Sequence, residues 1–156
     1  RDIGATISPY NAWLLIQGLE TLAIRIKEHS RSATKIASFL KSHPKVKKVS
    51  YPGLSSDPLH ARAKHYFTEA LTSGLLSFEV DSLEFAKHIL DTTKLFSVVV
   101  NIGDSKSIIT HPASTTNQQL SKEELEQVGI KEGLVRLSIG LENVDDLIED
   151  LKIALG

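Results

Sequence analysis

Arg136 is the residue whose type and position point most directly to ligand binding. It lies in the segment 133–140, where apolar and polar residues alternate as in a half-buried β-strand. Because successive side chains of a strand point to opposite faces, Arg136 is predicted to face away from Val135 and Leu137. A guanidinium on a polar face can bind a carboxylate through two parallel hydrogen bonds. Composition alone favours a structural ion pair instead, with one of the acidic residues that follow: Glu142, Asp145 or Asp146.

Two further segments carry small polar groups that could face a ligand. In the segment 101–107, which follows a predicted strand, backbone N–H groups and the Asn101 amide could contact a ligand, or the segment could simply turn at Gly103. In the segment 111–116, hydroxyl groups follow a proline. Such hydroxyls can orient a neighbouring guanidinium, although they more often satisfy loop backbone groups. Spacing alone leaves both alternatives open.

Other kinds of site lack support in the sequence. The six histidines include no pair at metal-binding spacing, so no metal site is predicted. The chain also lacks the Gly-x-Ser-x-Gly motif of a serine hydrolase. The residues by themselves therefore identify no catalytic group.

Composition describes an ordinary globular chain of 156 residues, 41% hydrophobic and 24% charged. Its net charge of −1 gives no field to attract nucleic acid or an anionic membrane, so neither is expected as a partner. The longest apolar run, 12–16, falls far short of the ~20 residues that cross a bilayer. Without cysteine, the expected location is the cytoplasm. Without methionine, even at position 1, the chain is interpreted as a fragment of a longer protein.

A long helical segment is predicted over 1–42. Ser8-Pro9 is a favourable helix start, and apolar residues then recur at helical spacing until His43-Pro44. Gly18 lies inside this pattern, so two helices meeting at a bend are an alternative. The run 12–16 is apolar on nearly all sides, which suggests burial against a partner surface.

The remaining pattern alternates strands, helices and one long loop. Strands are predicted at 46–51, 75–80, 96–102 and 133–140, and helices at 61–70, 81–90, 121–128 and 143–155. Capping boxes are expected at Asp81/Glu84 and Ser121/Glu124, and Asn143 is expected to cap the last helix. The loop 101–117 is long enough to suggest a function. The predicted fold class is a single two-layer α+β domain over 1–156, a mostly antiparallel sheet of about four strands with helices on one face.

Several motifs occur in an order that resembles the C-terminal part of the Cys/Met-metabolism pyridoxal-phosphate enzymes. They are Ser8-Pro9, 18–22 (GLETL), 49–54 (VSYPGL), 101–104 (NIGD), Lys106-Ser107, 111–116 (HPASTT) and 135–142 (VRLSIGLE). The resemblance covers nearly the whole chain and implies the C-terminal domain of the fold type I pyridoxal-phosphate-dependent transferases. Asn-Ile-Gly, where many members carry Ser-Leu-Gly, is similar to the O-acetylhomoserine sulfhydrylase branch.

The resemblance also implies roles for three residues. Arg136 would bind the α-carboxylate of an amino-acid substrate, Asn101 would help to hold it, and Thr116 would steady Arg136. Asn117 departs from the histidine that the family usually has after the two threonines. The three substrate-binding residues are thus expected to meet at one site.

Pyridoxal 5'-phosphate is the implied cofactor, bound through a lysine. Ser32-Ala33-Thr34-Lys35 superficially resembles the cofactor-lysine motif, but an amphipathic helix pattern continues after it, so Lys35 is predicted to be a surface lysine. The cofactor groups are therefore expected in a larger N-terminal domain absent from this chain, against which 1–42 would pack. This chain would hold no catalytic or cofactor-binding residue and would be inactive alone. The full-length protein is expected to be a homotetramer.

The implied reaction belongs to methionine biosynthesis. O-acetylhomoserine and sulfide or a thiol would give homocysteine or methionine by γ-replacement. Alternatives within the family are cystathionine γ-synthase, a γ-lyase and methionine γ-lyase. A different alternative is a non-catalytic interaction module that binds a partner through the apolar first helix.

Overall fold

The helices of the computed structural model, which describes residues 4, 6–68 and 71–156, follow the apolar periodicity of the sequence. In the described ranges they are α1 (Pro9–Glu20), α2 (Leu22–Ser42), α3 (His60–Tyr66), α4 (Leu83–Thr92), α5 (Lys122–Gln127) and α6 (Val144–Leu155). A short 3-10 helix spans Pro112–Ser114. The predicted helix at 61–70 corresponds to α3, and its last two residues lie outside the described residues.

A five-stranded mixed sheet forms the second layer. Its strands are β1 (Lys48–Ser50), β2 (Leu75–Glu79), β3 (Ser97–Val98), β4 (Ile108–Thr110) and β5 (Leu134–Ser138). The order across the sheet is β1-β2-β5-β4-β3, with every neighbouring pair antiparallel except β3 and β4, which are parallel. The predicted α+β class is confirmed, with five strands in place of about four.

The additional strand, β4, lies inside the segment predicted as the loop 101–117. With three residues it is too short to show an alternating pattern, and its pairing with β5 defines it. The strand predicted at 96–102 is shorter than expected because the backbone turns at Val99, whose N–H donates to the Ser97 carbonyl. A loop with its own strand explains how so long a segment is ordered.

The core lies between one face of the sheet and the helices α2, α4 and α6. Alternate strand residues point into it, among them Phe78 on β2 and Leu137 on β5, both almost fully buried. Ile36 of α2 and Leu147 of α6 pack in the same cluster. Burying each such side chain contributes about 1.5–3 kcal/mol, so the alternation fixes which strand residues face the helices.

The helix ends show where local sequence determines structure. The Ser8 hydroxyl accepts from the Asn11 N–H at the start of α1, and the Ser121/Glu124 capping box is present as predicted. Asn143 caps α6. The chain divides into α1 and α2 at Thr21. None of the described helices is long and apolar enough to cross a membrane.

The capping box predicted at Asp81/Glu84 is wrong by one residue. Ser82 caps α4, with its hydroxyl accepting from the Phe85 N–H. Asp81 pairs with Lys47 instead. The N-cap is therefore Ser82, and Asp81 lies just before the helix in an exposed ion pair.

Asp150 ties the connection between α4 and β3 to helix α6. Asp150 is 8% exposed, and its carboxylate accepts from the backbone N–H groups of Lys94 and Leu95 at 2.9–3.0 Å. Hydrogen bonds to a charged acceptor contribute more than neutral ones. This buried carboxylate therefore sets where the chain enters the β3–β4 edge of the sheet.

Replacing Asp150 with Asn is expected to lower the free energy of unfolding by about 1.5–3 kcal/mol, because a neutral amide oxygen accepts more weakly than the carboxylate and the amide NH2 would take the place of Oδ1 beside the Lys94 N–H. Urea denaturation of the chain measures the change. Glu149→Gln is the matched control, since its carboxylate is exposed and, among the described residues, pairs with Lys152, and it should change the value by less than about 0.5 kcal/mol. Equal effects of the two variants would contradict the assignment.

Candidate functional site

A row of polar side chains crosses the sheet on the face opposite the helices. The strand register places Ser50 opposite Ser77, Ser77 opposite Arg136, and Arg136 opposite Thr110. The neighbouring positions on the same strands, such as Val135, are buried in the core. The alternation that fills the core therefore presents Arg136 on the polar face, as its strand pattern predicts.

The Arg136 guanidinium forms no ion pair with a carboxylate in the part of the chain that the structure describes. Its Nη2 donates to the backbone carbonyl of Asn101 at 3.4 Å. Glu142 instead accepts from Ser107, and Asp145 pairs with Lys35. Since an arginine has five N–H donors, most of those of Arg136 remain available to an anionic ligand.

A cavity of about 360 Å³ opens beside Arg136 on the polar face. This volume is within the usual range for small-molecule sites, at its lower end. Its walls combine strand residues with residues of the 3-10 helix and of the turn after it: Ser77, Leu134, Arg136, Pro112, Thr116 and Asn117. The arrangement suits a small molecule that carries a carboxylate.

Asn101 reaches the site from the loop between β3 and β4. Its backbone carbonyl accepts from Arg136, and its side-chain oxygen accepts from the Ile102 N–H at 2.9 Å. The side-chain NH2 has no hydrogen-bond partner among the described residues. The structure thus brings the Asn101 backbone against Arg136, whereas Asn101 is not among the residues that line the cavity.

Thr116 lines the same cavity but does not hydrogen-bond to Arg136. Its hydroxyl donates to the Pro112 carbonyl at 3.3 Å and accepts from the Asn117 side chain at 2.8 Å. These bonds fold the turn after the 3-10 helix. Thr116 therefore shapes the wall of the cavity, and no contact of this structure shows it steadying the guanidinium.

His111 is a residue that the sequence reasoning missed. It is fully buried, and its Nε2 lies 2.7 Å from the Glu132 carbonyl, to which it must donate. Its Nδ1 then accepts from the Ser114 N–H at 3.2 Å. His111, which is buried and hydrogen-bonded at both ring nitrogens, therefore anchors the loop that carries Pro112 and Thr116. In the sequence, only its position at the start of the HPASTT motif indicated a role for it.

The loop of Asn101 also contains Asp104, which stabilises the turn that follows. The backbone N–H of Lys106 donates to its carboxylate at 3.0 Å and, with a smaller contribution from Ser105, holds the pKa of Asp104 below its ordinary value. The carboxylate itself is solvent-exposed. The turn is therefore better formed when Asp104 is ionised.

The described residues do not by themselves form a site for an aldehyde cofactor. Every lysine whose side chain is described is exposed, including Lys35 in the middle of α2, whose Nζ lies 2.9 Å from the Asp145 carboxylate. An imine-forming lysine is normally desolvated or otherwise activated. None of the lysines whose side chains are described is therefore placed as a covalent anchor for pyridoxal phosphate.

The chain belongs to the Cys/Met metabolism PLP-dependent enzyme family, whose model matches residues 1–156. It is 50% identical over 156 residues to an O-acetyl-L-homoserine sulfhydrylase of Leptospira meyeri, covering 99% of this chain and 35% of that protein. It is 43% identical over 153 residues to an L-methionine gamma-lyase of Fusobacterium nucleatum subsp. polymorphum, covering 97% of this chain and 38% of that protein.

A crystal structure from Campylobacter jejuni, described as an O-acetylhomoserine (thiol)-lyase, shares the fold. Its TM-score is 0.91 at 58% sequence identity, and the match covers 99% of this chain and 37% of that one. That protein carries N'-pyridoxyl-lysine-5'-monophosphate. This chain thus spans somewhat more than a third of the length of the relatives it matches.

We expect the Asp104 carboxyl to titrate below the ordinary aspartate pKa of about 3.9, because the Lys106 N–H binds its ionised form more strongly than its protonated form. A lowered pKa means that the turn is stabilised above the unfolded-state pKa and that this stabilisation is lost as the pH falls through the folded-state pKa. Carbon-detected NMR titration measures the midpoint. In Ser105→Ala the midpoint should stay below the ordinary value, because the Lys106 donor remains. A midpoint at or above the ordinary value would contradict the capping role.

Proposed function

We propose that this chain is the substrate-carboxylate-binding domain of a pyridoxal-phosphate-dependent γ-replacement enzyme. The full-length protein would convert O-acetylhomoserine and sulfide or a thiol into homocysteine or methionine. The observation that carries the proposal is the Arg136 guanidinium, which no carboxylate neutralises in the described part of the chain and which borders a small cavity. The 50% identity to an O-acetyl-L-homoserine sulfhydrylase supports the choice of reaction.

In this proposal Arg136 and Asn101 hold the substrate together. The guanidinium binds the α-carboxylate with two parallel hydrogen bonds, and the Asn101 amide donates a third. Fixing the carboxylate in this way restricts rotation of the amino acid about its Cα. The bond that reacts is thereby held in the orientation that the reaction needs. Thr116 would contribute by shaping the cavity wall around the bound molecule and so limiting movement of the arginine.

Pyridoxal phosphate would supply the electron sink for the reaction. Since the described lysines are exposed, the groups that hold the cofactor are assigned to the part of the full-length protein that this chain does not include. On this division, the chain alone turns over no substrate. The same family membership makes a homotetramer the proposed assembly and the cytoplasm the proposed compartment.

Two other functions remain as alternatives. Cystathionine γ-synthase, γ-lyase or methionine γ-lyase activity would use the same carboxylate site, and the 43% identity to an L-methionine gamma-lyase favours including the last of these. Product analysis of the full-length protein distinguishes replacement from elimination. A non-catalytic interaction module is the third candidate, because α1 exposes a large apolar surface.

We assign that apolar surface to packing within the full-length enzyme. None of the residues of α1 is buried, and the exposed side chains include Trp13, Leu15, Ile16 and Leu19, each more than half exposed. Such a continuous apolar patch marks an interface. The relatives are between two and three times as long as this chain, so the proposed cover is the larger domain that they contain in addition.

Arg136→Ala in the full-length enzyme is expected to lower kcat/KM for the amino-acid substrate by about 30-fold, or about 2 kcal/mol, with the fold intact. Arg136→Lys should fall between this variant and the parent, because it keeps the charge but loses the fork. Steady-state kinetics measure both. Arg31→Ala is the control, since Arg31 is an exposed arginine paired with Glu28. An unchanged kcat/KM for Arg136→Ala would refute the assigned role.

Helix α1 is expected to exchange its amide hydrogens much faster in this chain alone than in the full-length protein, because burial of its apolar surface would suppress opening. Hydrogen–deuterium exchange with peptide resolution measures the difference. Peptides from α6, whose apolar side is buried in the core of this chain, serve as the internal control and should differ little. Equal exchange of α1 in the two proteins would rule out its packing on the larger domain and favour the interaction module.

A further inference from the structure

We propose that Glu142, acting through Ser107, is a positioning residue that holds the Asn101 loop in place beside Arg136. The inference rests on the proposed function, because it concerns how Asn101 and Arg136, the two groups proposed to bind the substrate carboxylate, are kept at a fixed distance from each other. Neither residue lines the cavity beside Arg136. Their contribution is therefore to geometry and not to direct contact with a ligand.

The contacts form a closed arrangement around one carboxylate. The Ser107 N–H donates to Glu142 Oε1 at 2.7 Å, and the Ser107 hydroxyl donates to Glu142 Oε2 at 2.8 Å. The same hydroxyl accepts from the Gly140 N–H at 2.8 Å. Ser107 itself is fully buried. The Ser107 hydroxyl thus both donates to and accepts from the turn that follows β5.

Gly140 allows this turn and the loop to lie against each other. A Cβ at Gly140 would come within 2.4–2.5 Å of Glu142 Oε2, the Ser105 carbonyl and the Ser107 nitrogen. No side chain fits at that separation. Glycine at position 140 therefore allows the turn and the loop to approach each other closely. The Glu142 carboxylate lies where a side chain at position 140 would lie.

Two more bonds tie the same loop to β5 and its turn. The Gly103 N–H donates to the Ser138 hydroxyl at 2.9 Å, and the Leu141 N–H donates to the Ser105 carbonyl at 2.8 Å. Ser138 lies two residues after Arg136 on the same strand, hence on the same face. The loop is consequently fastened along its length to the element that carries the guanidinium.

This fastening matters because Asn101 and Arg136 belong to segments that are distant in the chain. Asn101 lies in an exposed stretch, and its one contact with Arg136 is a long bond of 3.4 Å through the backbone carbonyl. A bond of that length is too weak to hold the loop by itself. The Gly103–Ser138 bond holds the loop close to Asn101, and Glu142 and Ser107 anchor the buried end from which the loop extends. Losing the buried anchor would leave Arg136 in place and loosen the loop that carries Asn101.

The test uses the full-length holoenzyme and the variants Glu142→Gln and Ser107→Ala. We expect the KM for O-acetylhomoserine to rise about tenfold, with kcat and the KM for sulfide each changed by less than about twofold. The effect of the double variant should be smaller than the product of the two single effects, because both substitutions weaken the bond between the Ser107 hydroxyl and Glu142 Oε2. Glu142→Asp, which keeps the charge on a shorter side chain, should recover part of the loss.

Glu149→Gln, an exposed glutamate on α6, is the matched control and should leave all these constants unchanged. Hydrogen–deuterium exchange should show faster exchange for the loop 101–107 in Glu142→Gln than in the control. A parallel loss of kcat, both KM values and thermal stability would show a merely structural role. An unchanged KM for O-acetylhomoserine, or unchanged loop exchange, would overturn the inference.

The two proposals fail in different ways. If Arg136→Ala weakens the enzyme and Glu142→Gln does not, the positioning role alone is wrong. If the parent enzyme has no activity on O-acetylhomoserine and Arg136→Ala changes nothing, the proposed function is wrong and the positioning role falls with it.

Discussion

The register between β2, β5 and β4 is the constraint on which the candidate site depends. Burial of Leu137 and its neighbours on one face fixes the phase of β5, and that phase fixes the position of Arg136 on the other face. A slip of one residue would bury the guanidinium among apolar side chains and expose the core. The burial of apolar side chains that stabilises the fold thus also determines that Arg136 lies on the exposed face of the sheet.

This dependence explains which features the sequence could reveal. The alternation over 133–140 extends over a whole strand, so the side on which Arg136 lies could be read from local pattern. Helix starts at Ser8 and Ser121 were equally accessible, because capping involves residues only three positions apart. The family resemblance added a substrate class that local pattern could not provide, and the family model matches the whole chain.

The features that sequence reasoning missed depend on contacts between distant residues. β4 has three residues and is defined by its partner strand. The bonds of His111 to Glu132, and of Ser107 to Glu142, join positions 21 and 35 residues apart. The sequence indicated that 101–117 was an important loop. It could not indicate that buried polar anchors hold that segment on both sides of β4, because such pairing has no periodic signature.

The break between α1 and α2 at Thr21 has a consequence for assembly. α2 is fixed to the sheet by Ile36 and Leu40, whereas α1 touches the domain mainly through α2, as in the bond from Arg25 to the Gly18 carbonyl. Because no residue of α1 is buried, a different angle of α1 at Thr21 would displace no core side chain. The larger domain proposed to cover α1 would therefore meet a domain whose guanidinium is already positioned on β5.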